Sequence, residues 1–277
     1  MTQTFETYHA RADARRAELL AATTSPFTIT VRFEGGLSET QMAAFTAAAD
    51  RWVQVIVGDL PSMRVAGEVI DDVLILAAGA DLDGDGGTLA EAGATHLRPA
   101  TSDAWASLPV KGVMRFDTAD LLRMQANGTL GDVIAHEMGH VLGISGFIWK
   151  RKGLVSNTFG FTGAAARAEY RTLSSLDEDV PLEDTGGAGT AGSHWRERVF
   201  GNELMTGFVR AANNPLSRLT VAALSDIGYE VDLAAAEAYA FPTPSVIEDL
   251  SNASVPNDEA RIERPIPVEL PADSVVH

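Results

Sequence analysis

The sequence predicts an α+β fold in which long helices pack beside a β-sheet, and three observations carry that prediction. Residues 27–33 alternate apolar and polar side chains in the β-branched style of a half-buried strand. Residues 72–78 form a nearly continuous apolar run suited to an interior strand. Helical spacing of apolar residues then appears twice, at Met42, Phe45, Ala49, Trp52, Val53 and Ile56, and again across 129–143.

A chain of 277 residues can bury a sizeable core, as one large domain or two subdomains. It has no run of 18 apolar residues, so no membrane span is expected. The formal net charge of −17 repels nucleic acid and anionic membrane surfaces, which argues against both as partners. With no cysteine, disulfides, thiolate metal ligands and a cysteine nucleophile are excluded. Residues 1–20 carry Arg11, Arg15, Arg16 and Glu18 with no apolar segment behind them, so they do not read as a secretory signal. A signal removed earlier, unconventional export and an intracellular location all stay open.

In chain order, residues 3–22 are rich in Ala, Arg and Glu and predict a helix that ends at Pro26. After the strand at 27–33, Gly35 and Gly36 turn the chain, and Ser38 with Gln41 forms a capping box for a helix that stops at Gly58, with Trp52 as a core residue. Beyond the apolar strand, Asp81, Asp83 and Asp85 alternate with glycines as in a calcium loop. The twelfth position from Asp81 is Ala92 and not the bidentate glutamate of an EF-hand, so a solvated Asp/Gly turn is the competing reading. Residues 88–99 predict an edge strand, with His96 a surface or structural residue, and residues 112–116 a further short strand. Asp117 or Thr118 then caps a helix carrying Leu121, Leu122 and Met124 that ends at Asn127-Gly128.

Thr129 and Asp132 open the next helix, which carries His136, Glu137 and His140. Residues four apart share a helix face, so the two imidazoles can serve one metal while Glu137 projects toward a water on it, the layout of a zinc hydrolase. Gly143 falls where a left-handed helix stop belongs. A catalytic zinc takes three protein ligands and keeps one position open. The third ligand has to come from His9, His96, His194, His277 or a downstream acidic residue such as Glu169 or Glu183.

His136-Glu137-x-x-His140-x-x-Gly143 resembles the metzincin motif, in which a third histidine usually follows the glycine by three residues; that position here is Gly146. His194, within Gly192-Ser193-His194-Trp195, and the segment Asn202-Glu203-Leu204-Met205-Thr206-Gly207 that follows it resemble the leishmanolysin-like metzincin proteases, in a bacterial-type version without cysteines. The resemblance covers about residues 27–232. It implies His194 as the third zinc ligand, 54 residues after His140, and Met205 as the methionine of a turn beneath the metal, with Gly143 supporting the site. It also implies a metzincin-like zincin fold, a twisted mixed sheet with two long helices above a cleft and a mostly irregular and helical part below. The expected organisation is a helical segment at 1–26, an upper catalytic subdomain at 27–143, a lower one at 144–240 and an acidic, proline-containing tail at 241–277 whose lack of periodicity reads as extended or disordered.

The implied activity is that of a zinc-dependent endopeptidase with Glu137 as general base. One catalytic Zn2+ is expected, with Ca2+ at Asp81, Asp83 and Asp85 as a further candidate. Protein or peptide substrates would lie extended in the cleft, paired with the strand at 88–99. A monomer and an extracellular location go with the same resemblance. Latency through a propeptide cysteine cannot transfer to a chain without cysteine, and no tyrosine follows Met205 within two residues. Two alternatives stay open: a zincin with a glutamate third ligand, and an inactive binding or adhesion module on the same scaffold.

Overall fold

In the computed structural model, which describes residues 5–187, 189–207, 213–243 and 261–276, the sheet is laid around β5 (Val73–Ala80). This strand is apolar at successive positions because both of its faces are covered. Val73, Ile75 and Ala77 enter the main core, while Leu74 enters a smaller cluster with Val110 and with Met63, Val65 and Ile70 of the hairpin β3 (Met63–Val65) and β4 (Glu68–Ile70). Two parallel neighbours flank it, β2 (Thr28–Gly35) and β7 (Pro109–Asp117). Outside these, β1 (Glu6–Arg11) joins β2 and β6 (Ala90–Leu97) joins β7, both antiparallel. The far side of β6 carries β10 (Ile262–Glu263) and β11 (Val268–Glu269), both parallel to it.

The parallel step from β2 to β5 passes through α2 (Glu39–Val55), started by the expected capping box: Ser38 Oγ accepts the Gln41 amide, and Gln41 Oε1 accepts the Ser38 amide. Its apolar stripe lies over β1 and β2 and against α4 (Leu130–Val141), which itself covers β6 and β7. Trp52 is fully buried between the two helices and donates its indole N–H to Ala135 O at 2.9 Å. Between β7 and α4 runs α3 (Thr118–Asn127), closed by Gly128 in the left-handed region. The described residues between 144 and 240 are helical and irregular. They carry α5 (Gly146–Arg151), α6 (Ala164–Ser174), α7 (Glu197–Phe200), α8 (Arg218–Ile227) and the small ladder of β8 (Gly160–Phe161) with β9 (Val180–Pro181). Their core is aromatic, with Trp149 stacked on Trp195 and Phe161 edge-on to both. The N-terminus of α6 has no cap of its own; Asp226 of α8 accepts the Ala165 and Ala166 amides instead.

Three expectations are corrected. The helix expected at 3–22 is a strand followed by a short helix, α1 (Ala14–Ala21), capped by Asp13. Residues 6–11 pair with the otherwise open edge of β2, and that tertiary contact overrides the weak helical preference of Ala, Arg and Glu. The strand expected at 88–99 is present as β6 but is not an edge, since the chain's own later residues pair along its outer side. For the same reason the tail expected as extended or disordered at 241–277 is ordered sheet over part of its length. Residues 244–260 of that tail lie outside the described residues. Among the described residues no helix is long and apolar enough to cross a membrane.

One carboxylate fixes the junction of β7, α3 and the loop at 81–87. Asp117 is fully buried; its Oδ1 accepts the Ala119 and Asp120 amides as the α3 cap, and its Oδ2 accepts those of Leu82, Asp83 and Gly84. Asp117→Ala leaves several of these donors without a partner, and the expected loss is about 3 kcal/mol of unfolding free energy, read as a lower urea midpoint at unchanged slope.

Candidate metal centre

The α4 helix is apolar on most of its circumference and buried along nearly its whole length, so its polar side chains face protein and not water. Thr129 does not cap it through its hydroxyl, which instead bonds Asn127. Asp132, in the first turn, accepts the Asn213 and Asn214 amides and pairs with Arg51, tying the start of the helix to residues 213–214 and to α2. At its other end Gly143 adopts φ +106°, a conformation that favours glycine. The reversal returns the Ile144 carbonyl to His140, whose Nδ1 donates to it at 2.5 Å.

His194 arrives from the far side of the centre. Its backbone carbonyl accepts the Glu183 amide, the next amide donates to Met205 O, and its Nδ1 donates to Thr190 O at 3.0 Å. Gly146, which stands where a nearer third histidine was sought, lies against this segment. A Cβ there would come within 2.6 Å of Gly192 O and 2.8 Å of Ser193 Oγ, and the Gly146 amide donates to Ser193 Oγ. The space a side chain at 146 would occupy is taken by the chain that delivers His194.

The third support is the turn at 203–206. Leu204 O accepts from His136 Nδ1 at 2.6 Å, and Met205, fully buried, brings its sulfur against α4 at Gly139. A Cβ on Gly139 would lie 2.8 Å from both Met205 Sδ and Trp52 Cζ2. Glu203 holds the turn: Oε2 accepts the Met205 amide at 2.6 Å, and Oε1 accepts the Ser217 amide, the Ser217 hydroxyl and the Thr220 hydroxyl. Burial pushes the Glu203 carboxyl up, and these hydrogen bonds pull it partly back.

Each imidazole is thus tied through Nδ1 to a backbone carbonyl, which leaves Nε2 of the neutral ring with its lone pair. The three Nε2 atoms face one another at 3.0 Å (His136–His140), 3.2 Å (His136–His194) and 2.9 Å (His140–His194), and all three residues are buried. Three lone pairs so close repel unless a cation lies among them. Tetrahedral zinc at 2.0–2.1 Å from each nitrogen spaces its ligands by about 3.3 Å, so the donor set fits that ion. Glu137 is fully buried next to the cluster, and its Oε2 accepts from Arg264 Nη1 at 2.5 Å. A cavity of about 320 Å³ adjoins His140, bordered among others by Gly93, Phe147, Ile148 and Pro265.

Other candidates stand elsewhere. His9 bonds Thr30, His96 lies beside the Thr95 hydroxyl, and His277 is outside the described residues. Glu169 pairs with Arg218, and Glu183 accepts the amides of Asp184, Thr185 and Glu197. Neither belongs to a cluster of potential ligands among the described residues. Asp81, Asp83 and Asp85 do not converge: Asp83 accepts the Thr88 amide and Asp85 pairs with Arg123. Sequence reasoning missed the anchoring role of Glu203, whose signal was a lone acid ahead of Leu-Met, and it missed Arg264 altogether.

The leishmanolysin family model (Peptidase_M8) matches residues 100–254. A leishmanolysin of Leishmania major is 32% identical over 142 residues, 47% of this chain and 23% of that protein. A leishmanolysin homolog of Crithidia fasciculata is 31% identical over 137 residues, 44% and 20% of the two chains. A leishmanolysin-like peptidase of Drosophila melanogaster is 44% identical over 52 residues, 19% and 8%. The chain therefore covers less than a quarter of the length of these relatives.

Zinc added to metal-stripped protein is expected to raise its thermal midpoint, by the equivalent of about 4 kcal/mol at 1,000 times the dissociation constant. Gly139→Ala is expected to lower the midpoint of the metal-free protein by the equivalent of about 2 kcal/mol, because Met205 and Trp52 leave no room for the methyl group. Differential scanning calorimetry with and without zinc reads both.

Proposed function

Because the family model covers more than half of its residues, the chain belongs to the leishmanolysin family of peptidases, and from that premise we propose that it is a zinc-dependent endopeptidase. The observation that carries the reading is the convergence of His136, His140 and His194, with a buried carboxylate beside them. In this reading the three imidazoles hold the ion and Glu137 is the general base. When bound, the ion would act as a Lewis acid and lower the pKa of a water to near 7. Glu137 accepts the proton of the attacking water and returns it to the departing amine, so one carboxyl serves both halves of the hydrolysis.

The backbone carbonyls of Leu204, Ile144 and Thr190 keep the rings oriented throughout. Substrate polypeptide would lie extended along β6 only in place of the residues of this chain that pair there, beside the cavity that adjoins His140. Residues 27–143 form the roof of that cleft and 144–240 its floor. An extracellular location and a monomeric state belong to the same reading.

The test is elemental analysis beside turnover of casein-derived fluorogenic peptides, for the wild-type chain and, because Arg264 sits on the Glu137 carboxylate, for Arg264→Ala. One zinc per chain is expected. Glu137→Gln is expected to keep the zinc and to lower kcat/KM by about 1,000-fold or more, and His194→Ala to lose both zinc and turnover. Zinc content and turnover that survive His194→Ala would move the third ligand to another residue. Bound zinc without hydrolysis in either background would favour a binding module.

A further inference from the structure

The outer edge of β6, where a substrate strand would add, is already taken by residues 261–270. Ile262 and Glu263 stand opposite Ala90 and Glu91, and Val268 and Glu269 opposite His96 and Leu97. The offset between partners is the same in both pairings, so one register runs through the interval and places residues 264–267 alongside residues 92–95. At the ends of this run the Leu89 amide donates to Arg261 O at 2.8 Å, and the Leu270 amide donates to Leu97 O at 2.9 Å. The interval itself reads Arg264-Pro265-Ile266-Pro267. Its two prolines have no amide to donate and hold φ near an extended value, so the chain stays straight there without ladder bonds.

That interval faces the metal centre. Arg264 Nη1 reaches Glu137 Oε2 at 2.5 Å and the Ala92 carbonyl at 3.2 Å. Pro265 and Pro267 border the cavity beside His140, and Gly93, which has no side chain, lets the ring of Pro265 come close. The segment is clamped on both sides. Upstream, Arg261 pairs with buried Asp120 at 2.8 Å. Downstream, Glu269 pairs with Arg151 and accepts the Ala100 amide at 3.0 Å, Leu270 is buried with the β3–β4 hairpin, and the Val276 amide donates to Ser62 O.

We propose that residues 261–270 are an internal inhibitor: a strand of this chain, parallel to β6, that fills the substrate cleft and puts the Arg264 guanidinium where water and the scissile bond would meet Glu137. The inference rests on the peptidase reading. While the segment is part of the same chain its effective concentration at the cleft is high, and a substrate strand has to displace it. Cutting the chain between residues 243 and 261 turns this intramolecular seat into an ordinary binding equilibrium, from which the segment can be lost by dilution.

The test compares the full zinc-loaded chain with Arg264→Ala, which removes the contact with Glu137, and Ile262→Asp, which unseats the strand. In both variants kcat/KM on a fluorogenic peptide is expected to rise by about 10- to 100-fold. A synthetic peptide covering residues 261–270 is expected to suppress the Ile262→Asp chain, and the same peptide carrying Arg264→Ala to do so about tenfold less well. Amide exchange at Leu89 is expected to quicken in Ile262→Asp, a readout independent of turnover. Equal kcat/KM in the wild type and both variants, abolished in each by Glu137→Gln, would overturn the inhibitor and leave the peptidase standing. Unchanged exchange at Leu89 would overturn the seat itself. No turnover in any of the three chains with zinc bound would instead sink the peptidase reading, and latency with it.

Discussion

Three imidazoles can aim their Nε2 lone pairs at one point, within 3.2 Å of one another, because each ring's opposite nitrogen is committed elsewhere. Much of the architecture around α4 serves that commitment. The carbonyls that receive the Nδ1 protons belong to Ile144, Leu204 and Thr190, from three separate segments, and each segment needs its own fastening. Gly143 supplies a reversal for the first. Glu203 binds the second to the start of α8 through Ser217 and Thr220. The third is braced by Gly146 and by the aromatic stack around Trp195.

How much of this was legible in the sequence depended on how local the cause was. The capping box of α2, the buried strand β5 and the helix carrying His136 and His140 are each specified within about fifteen residues by periodicity and cap chemistry. Trp52 as a core residue followed from the same periodicity. Residues 6–11 were misread because their composition favours a helix, and nothing local reveals that β2 needs a partner. The outer side of β6 was misread for the same reason, since its neighbour lies far downstream among prolines and acids.

The centre divides along similar lines. Two histidines four apart announce themselves, whereas His194 has no local pattern and was singled out by likeness to a family. Its approach to the other two is a product of folding, through contacts of Gly146 with Gly192 and Ser193 that no spacing rule encodes. Glu203 reads in sequence as one more acid in a chain of net charge −17. Only its burial under Ser217 and Thr220 distinguishes it from the solvated majority.

The contact between Gly146 and Ser193 also bears on how this chain can vary. It brings together the two ends of the excursion that holds α5, α6 and the β8–β9 ladder, so the excursion is a closed loop whose mouth is fixed beside the three histidines. The entropy of closing such a loop grows only with the logarithm of its length. Insertions in its exposed turn at 175–178, away from the buried Trp149 and Phe161, therefore cost little closure entropy and leave the contacts that position His194 in place.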